Sequence, residues 1–166
     1  MILLDGKKLA NKVKDELREE VAKMKNEGRE VRLAVIQVGD NPASSVYVRN
    51  KQKACEYCGI ESKVYKFNEP VDEADLIEFI GLLNHDSMVN GILVQLPLPK
   101  HINESAVINA ITPNKDVDGF HDDIKEFFPL FLGQLFRIVK SFDIKSFGQN
   151  NRACGNRSAE RTSSRL

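Results

Sequence analysis

Neither sign of charge prevails in this chain: Lys plus Arg and Asp plus Glu number 24 each, and the pI is about 6.8. A balanced chain offers no global field that argues for nucleic acid, an anionic membrane or an acidic partner; the balance itself says nothing about partners, and neither nucleic acid nor membrane is expected. Cysteine is scarce. Three cysteines without a framework spacing exclude a disulfide scaffold. With no signal-peptide pattern and no apolar run long enough to span a bilayer, the chain is expected to be soluble, reduced and intracellular, with the cytoplasm as its default compartment. His85, His101 and His121 have no mutual spacing that builds a metal site, so no metal is expected. Neither G-x-x-x-x-G-K-[ST] nor G-x-G-x-x-G occurs, and the chain therefore lacks a recognisable phosphate cradle. Cys55-Glu56-Tyr57-Cys58 fits a C-x-x-C pattern, but it falls late in an expected helix and has no second ligand pair, which favours buried structural thiols.

What is present is enough for one domain with a proper core and a fragment of a second, in 166 residues and 18.7 kDa. From 5 to 25, Leu9, Val13, Leu17, Val21 and Met24 recur at three- and four-residue steps, the pattern of an amphipathic helix ended by Gly28. Residues 31–38 form an apolar run suited to a central parallel strand. Asn41-Pro42 then suits a helix start, with Asn as cap and Pro at the first helical position, and Gly59 stops that helix. A second strand is expected over 60–67, and a third helix capped by Asp72 with a buried face of Leu76, Ile77, Ile80 and Leu83. A third buried strand over 91–96 and a short helix over 104–111 complete the order. The alternation predicts an α/β fold: a three-layer sandwich with a mainly parallel sheet, helices on both faces, and ligands at the carboxyl ends of the strands, near Asp40 and Gln95. After Phe120 the periodicity is lost. A weak helix is expected around 134–142, and 149–166, with four Arg against one Glu and little to bury, reads as a disordered tail.

Three stretches carry chemistry and each reads two ways. In GDNPASSVYVRNKQK (39–53), Tyr47 and Lys51 sit four apart on one helix face beside a strand end, as a site would need and as an ordinary surface pair also would. In GILVQLPLP (91–99), Gln95 is the lone polar residue of an apolar run, either a site group or a satisfied structural amide. In PNKDVDGFH (113–121), Asp116 and Asp118 flank Val117, so in an extended loop at most one points inward; an exposed turn explains the stretch equally well.

Taken together, GDNPASSVYVRNKQKACEYCGI, GILVQLPLP and TPNKDVDGFH, in this order and spacing and with the opening LLDGKKLA, closely resemble the amino-terminal domain of the bifunctional methylenetetrahydrofolate dehydrogenase/cyclohydrolase family. The resemblance covers 1–121. It implies oxidation of 5,10-methylenetetrahydrofolate with NADP or NAD to the methenyl form, hydrolysis to 10-formyltetrahydrofolate, and a homodimer. Carried over residue by residue, it implies Lys51 as general acid/base, Tyr47 stacking on the aminobenzoyl ring, Gln95 contacting and tuning Lys51, Asp118 holding the pterin, and Ser44 as a secondary residue lining the site. These residue types suit those roles. A neutral amide bonds an amine without adding a countercharge, and a carboxylate pairs well with adjacent pterin N–H donors. Hydride chemistry belongs to the nicotinamide, which a protein only has to place.

Beyond 121 the sequence departs from that family. Its Pro-Cys-Thr-Pro segment and its Rossmann turn, typically VVxGRSxxVGxP, are missing; 122–148 reads as a degraded connecting segment in which only 140–145 (KSFDIK) looks familiar. Read one base out of frame, codons for Cys154-Gly-Asn-Arg-Ser158 permit Val-Val-Ile-Gly-Arg, so the tail is expected to be an out-of-frame start of the cofactor domain. The alternative expectation is a folate-site domain without a dehydrogenase, serving as a pseudoenzyme or a dimerisation module.

Overall fold

Strand β1 (Arg32–Val38) is the axis of the domain, buried on both faces along almost its whole length. The computed structural model describes residues 6–121; the expected weak helix at 134–142, the connecting segment and the tail lie outside the described residues. Helix α1 (Gly6–Asn26) precedes β1. Helix α2 (Pro42–Cys58), strand β2 (Glu61–Phe67), helix α3 (Glu73–His85), strand β3 (Gly91–Val94) and helix α4 (Glu104–Asn109) follow it. The three strands are parallel in the order β2-β1-β3, with Val35 opposite both Val64 and Leu93.

Strand alternation sorts the core into two halves. Leu33 and Val35 point to one side, where they meet Leu17, Val21 and Met24 of α1, Val48, Cys55 and Cys58 of α2, and Leu93. Ala34, Ile36 and Val38 point to the other, against Leu76, Ile80 and Leu83 of α3, Val107 of α4, and Ile92 and Val94. The expected α/β three-layer arrangement with helices on both faces is thus present. Cys55 and Cys58 are free and buried, and burial pushes the Cys55 thiol up to about 12, as structural thiols would behave.

The chain leaves β1 toward β2 through α2 on one face, then returns past β1 to β3 through α3 on the other. The crevice between the carboxyl ends of β1 and β3 is therefore a topological switch point, where open α/β sheets bind ligands.

Local chemistry sets the ends of α2. The Asn41 side chain accepts from Ala43 N (2.9 Å) and Ser44 N (3.3 Å), and Pro42 opens the helix. At the other end Gly59 is left-handed (φ 78°), and Ile60 N donates to Cys55 O at 2.8 Å. A Cβ at Gly59 would meet Val21 and Lys25 no closer than 3.6 Å, so Gly59→Ala costs backbone conformation and not a clash. It is expected to lower stability by about 1–2 kcal/mol, measured as a reduced urea midpoint with an unchanged m-value. Asp72 does stand at the N-cap of α3, but its side chain makes no capping bond. Strand β3 ends at Val94, two residues earlier than the apolar run implied, because Gln95 and Leu96 turn into the Pro97 segment; Gln95 N still donates to Ile36 O at 2.9 Å.

Candidate active site

Lys51 and Asp118, 67 residues apart in sequence, meet beside the switch point. Nζ lies 3.3 Å from Oδ2 and 3.5 Å from Oδ1, with the two side chains 21% and 15% exposed. Lys51 stands on the third turn of α2, whose buried residues Ser44, Val48 and Cys55 fix the helix against the sheet. Asp118 comes from the loop after α4. Burial pushes its carboxyl above the ordinary carboxylate range, against the opposing pull of Lys51. Tyr47, one turn before Lys51, is 62% exposed, which leaves its ring open for a flat ligand to cover.

Both aspartates turn inward, against the expectation that at most one would: positions two apart share a face in extended chain, and Asp116 pairs with Ile92 as an isolated parallel bridge just before the left-handed Gly119 (φ 71°). Asp116 is buried and accepts from Asp118 N (3.0 Å), Gly119 N (3.0 Å) and His121 N (2.9 Å). A buried carboxylate that receives three main-chain N–H groups is a scaffold for its own loop, which leaves Asp118 as the carboxylate facing Lys51.

Gln95 follows the last residue of β3, two residues beyond Leu93. Its Nε2 donates to Leu96 O at 2.7 Å, and its Oε1 is buried without a partner. Sequence reasoning missed a second amide in the same position. Gln37 is 1% exposed and donates from Nε2 to Gly39 O (3.2 Å) and Ser45 Oγ (3.0 Å), and its Oε1 is likewise buried and unpartnered. Because each Nε2 is committed to a carbonyl, the unpartnered atom in each case is the acceptor oxygen. Two such oxygens at neighbouring strand ends each cost about 1–3 kcal/mol unless an N–H donor meets them. Gln37 was readable as the polar residue inside 31–38. Of the serines, buried Ser44 is tied to the Asn41 cap through its main chain, while Ser45 bonds Gln37.

Two of the histidines stand apart from this cluster, whereas His121 gives its main-chain N–H to Asp116. His85 bonds Gly81 O and His101 bonds Val71 O. Among the described residues no group of three or more His, Cys, Asp or Glu could hold a metal, and no helix is long and apolar enough to cross a membrane. A dinucleotide phosphate does not fit the β1–α2 turn. Asn41 Oδ1 already takes the amides of Ala43 and Ser44, Pro42 has no N–H, and Asp40 adds a negative charge.

A lysine–carboxylate pair one helical turn from an exposed aromatic ring, with two buried amide oxygens lacking partners at the ends of neighbouring parallel strands, makes up the candidate site. The chain belongs to the tetrahydrofolate dehydrogenase/cyclohydrolase family, whose catalytic domain matches residues 4–118. It is 61% identical over 118 residues to the bifunctional protein FolD of Agathobacter rectalis, a match covering 71% of this chain and 42% of that one. Its fold is similar to the crystal structure of the bifunctional FolD enzyme, methylenetetrahydrofolate dehydrogenase/cyclohydrolase, from Campylobacter jejuni. There the TM-score is 0.76 at 46% identity, covering 87% of this chain and 54% of that one. It also resembles the Trypanosoma brucei methylenetetrahydrofolate dehydrogenase-cyclohydrolase complexed with NADP and an inhibitor, with a TM-score of 0.66 at 35% identity, covering 70% of this chain and 40% of that one. The chain thus spans less than half of the curated relatives it matches, for example 42% and 43% of the first two.

Proposed function

We propose that this chain supplies the folate half of a 5,10-methylenetetrahydrofolate dehydrogenase and 5,10-methenyltetrahydrofolate cyclohydrolase. Lys51 is the proton-transferring group, Tyr47 the stacking surface, Asp118 and Gln95 the polar contacts, and Ser44 part of the lining turn. The observation that carries this reading is the Lys51–Asp118 pair at 3.3 Å, with the unpartnered Gln95 oxygen at the end of β3. A pterin presents adjacent N–H donors, which a carboxylate and an amide oxygen accept together. Once those donors engage Asp118, the Lys51–Asp118 pair loosens and the amine turns to the one-carbon centre. There, once its own proton has passed to solvent, the neutral amine takes a proton from attacking water and returns it to a ring nitrogen as the carbon–nitrogen bond breaks. A flat ring over Tyr47 excludes water from that exchange.

The β1–α2 turn does not fit the phosphates of a dinucleotide, and no step of this mechanism runs through NADP or NAD; when bound, that cofactor accepts the hydride. A cytoplasmic homodimer belongs to the same proposal. The test is a two-arm assay of the purified chain. Calorimetric titration with tetrahydrofolate is expected to give saturable binding, and NADP-dependent oxidation of methylenetetrahydrofolate by the chain alone is expected to be undetectable. Absence of folate binding would remove the proposal, and oxidation by the chain alone would show that a dinucleotide site exists in it.

A further inference from the structure

Lys115 is a strongly engaged side chain in the 113–121 loop that the folate reading leaves without a role. Its Nζ donates to Leu83 O (2.9 Å), Asn84 O (2.8 Å) and Asp86 O (2.8 Å), where α3 ends. All three ammonium protons are thus spent on main-chain carbonyls, at the end of a helix where a cation is also favoured by the backbone dipole. A lysine drawn in far enough for burial to lower its pKa sits at this junction, with Asp86 the opposing charge.

The residues beside it carry that anchor to the site. Asn84 Oδ1 accepts from Thr112 N (3.1 Å), and its Nδ2 donates to Ala110 O (2.8 Å), so the same helix end also holds the start of the loop. The loop then docks on β3: Ile92 N donates to Lys115 O at 2.7 Å, and Val117 N to Ile92 O at 3.3 Å. Val117 is fully buried in the half of the core shared with α1 and α2. Next, the Asp116 carboxylate gathers the amides of Asp118, Gly119 and His121. The loop is therefore fixed at the α3 end by Lys115 and internally by Asp116, and the residue held between those fixings is Asp118, facing Lys51 across the crevice.

We infer that Lys115 and Asp116 are positioning residues: they clamp the loop between the end of α3 and the edge strand β3 so that the Asp118 carboxylate stands opposite Lys51. Neither touches the reacting atoms. The loop's effect on folate binding rests on the function proposed above, whereas its effect on Asp118 does not.

The test reads both in the full chain. Carboxyl carbon NMR follows the titration of Asp118, and calorimetry with tetrahydrofolate gives the affinity, for the wild type, Lys115→Met, Lys115→Arg and Asp116→Asn. Lys115→Met is expected to let water reach Asp118, bring its titration down toward the ordinary carboxylate range, and weaken tetrahydrofolate binding about tenfold. Lys115→Arg, which keeps charge and donors, is expected to recover most of both. A structural role confined to α3 would lower the melting temperature and leave the Asp118 titration in place, and that result would overturn the inference. Should Lys115→Met fail to fold, Asp116→Asn decides: an unmoved Asp118 titration there also overturns it. If the wild type binds no tetrahydrofolate, the folate reading fails while the titration still decides the clamp.

Discussion

Replacing Lys51 with Met is expected to lower hydrolysis of 5,10-methenyltetrahydrofolate by roughly 10²–10⁴-fold, the range for loss of a general acid–base group. Methionine keeps an unbranched side chain and a good helix propensity, so α2 should persist. What it removes is the group proposed to carry the proton to and from the ligand. Asp118 would keep its place, held by Asp116 and the loop, and folate affinity should fall far less than turnover. A loss confined to KM with kcat intact would assign Lys51 to binding alone. The measurement is a steady-state profile of methenyl hydrolysis, with circular dichroism to confirm the fold.

Asp118→Asn is expected to weaken tetrahydrofolate binding roughly 10- to 100-fold, because an amide cannot accept two N–H donors with a full negative charge. The pH dependence sharpens this. In the fold the Asp118 carboxyl is raised above its ordinary value, chiefly by burial. A raised carboxyl binds its proton more tightly in the folded than in the unfolded chain. Its contribution to stability is therefore present at low pH and lost as pH rises through the folded value. Ligand binding runs the other way, since it needs the ionised form: affinity should fall as pH drops through that raised value, at a pH above the usual range near 3.9. In Asp118→Asn this acid limb should vanish. Calorimetry across an acidic pH series in both proteins checks it.

Much of the fold was legible because periodicity reports burial directly. The run at 31–38 gave a strand buried on both faces, and the Asn41-Pro42 and Gly59 punctuation placed α2. The end of β3 was less legible. The apolar run continues to Leu96, but the ladder depends on where the backbone turns and not on side-chain character. The DVDG loop was misjudged: residues two apart share a face in extended chain, so Asp116 and Asp118 can both turn inward, as they do beside the Ile92 bridge. Of the site, the i, i+4 placement of Tyr47 and Lys51 followed from helical geometry alone, whereas the pairing of Lys51 with Asp118 spans 67 residues and no local pattern contains it. Gln37 was overlooked because a single amide within an apolar strand looks like a tolerated core residue. Only its place at the end of β1, one position past the Ile36–Val94 pair, with a second unpartnered oxygen, marks it.

The most direct test of a folate site at Lys51 and Asp118 is an amide and side-chain NMR titration of the chain with tetrahydrofolate. Saturable shifts should concentrate at Ser44, Tyr47, Lys51, Gln37, Gln95 and Asp118, and should be strongly reduced in Asp118→Asn. Shifts that leave these residues untouched, or that persist unchanged in Asp118→Asn, would contradict the assignment of this crevice as the folate site.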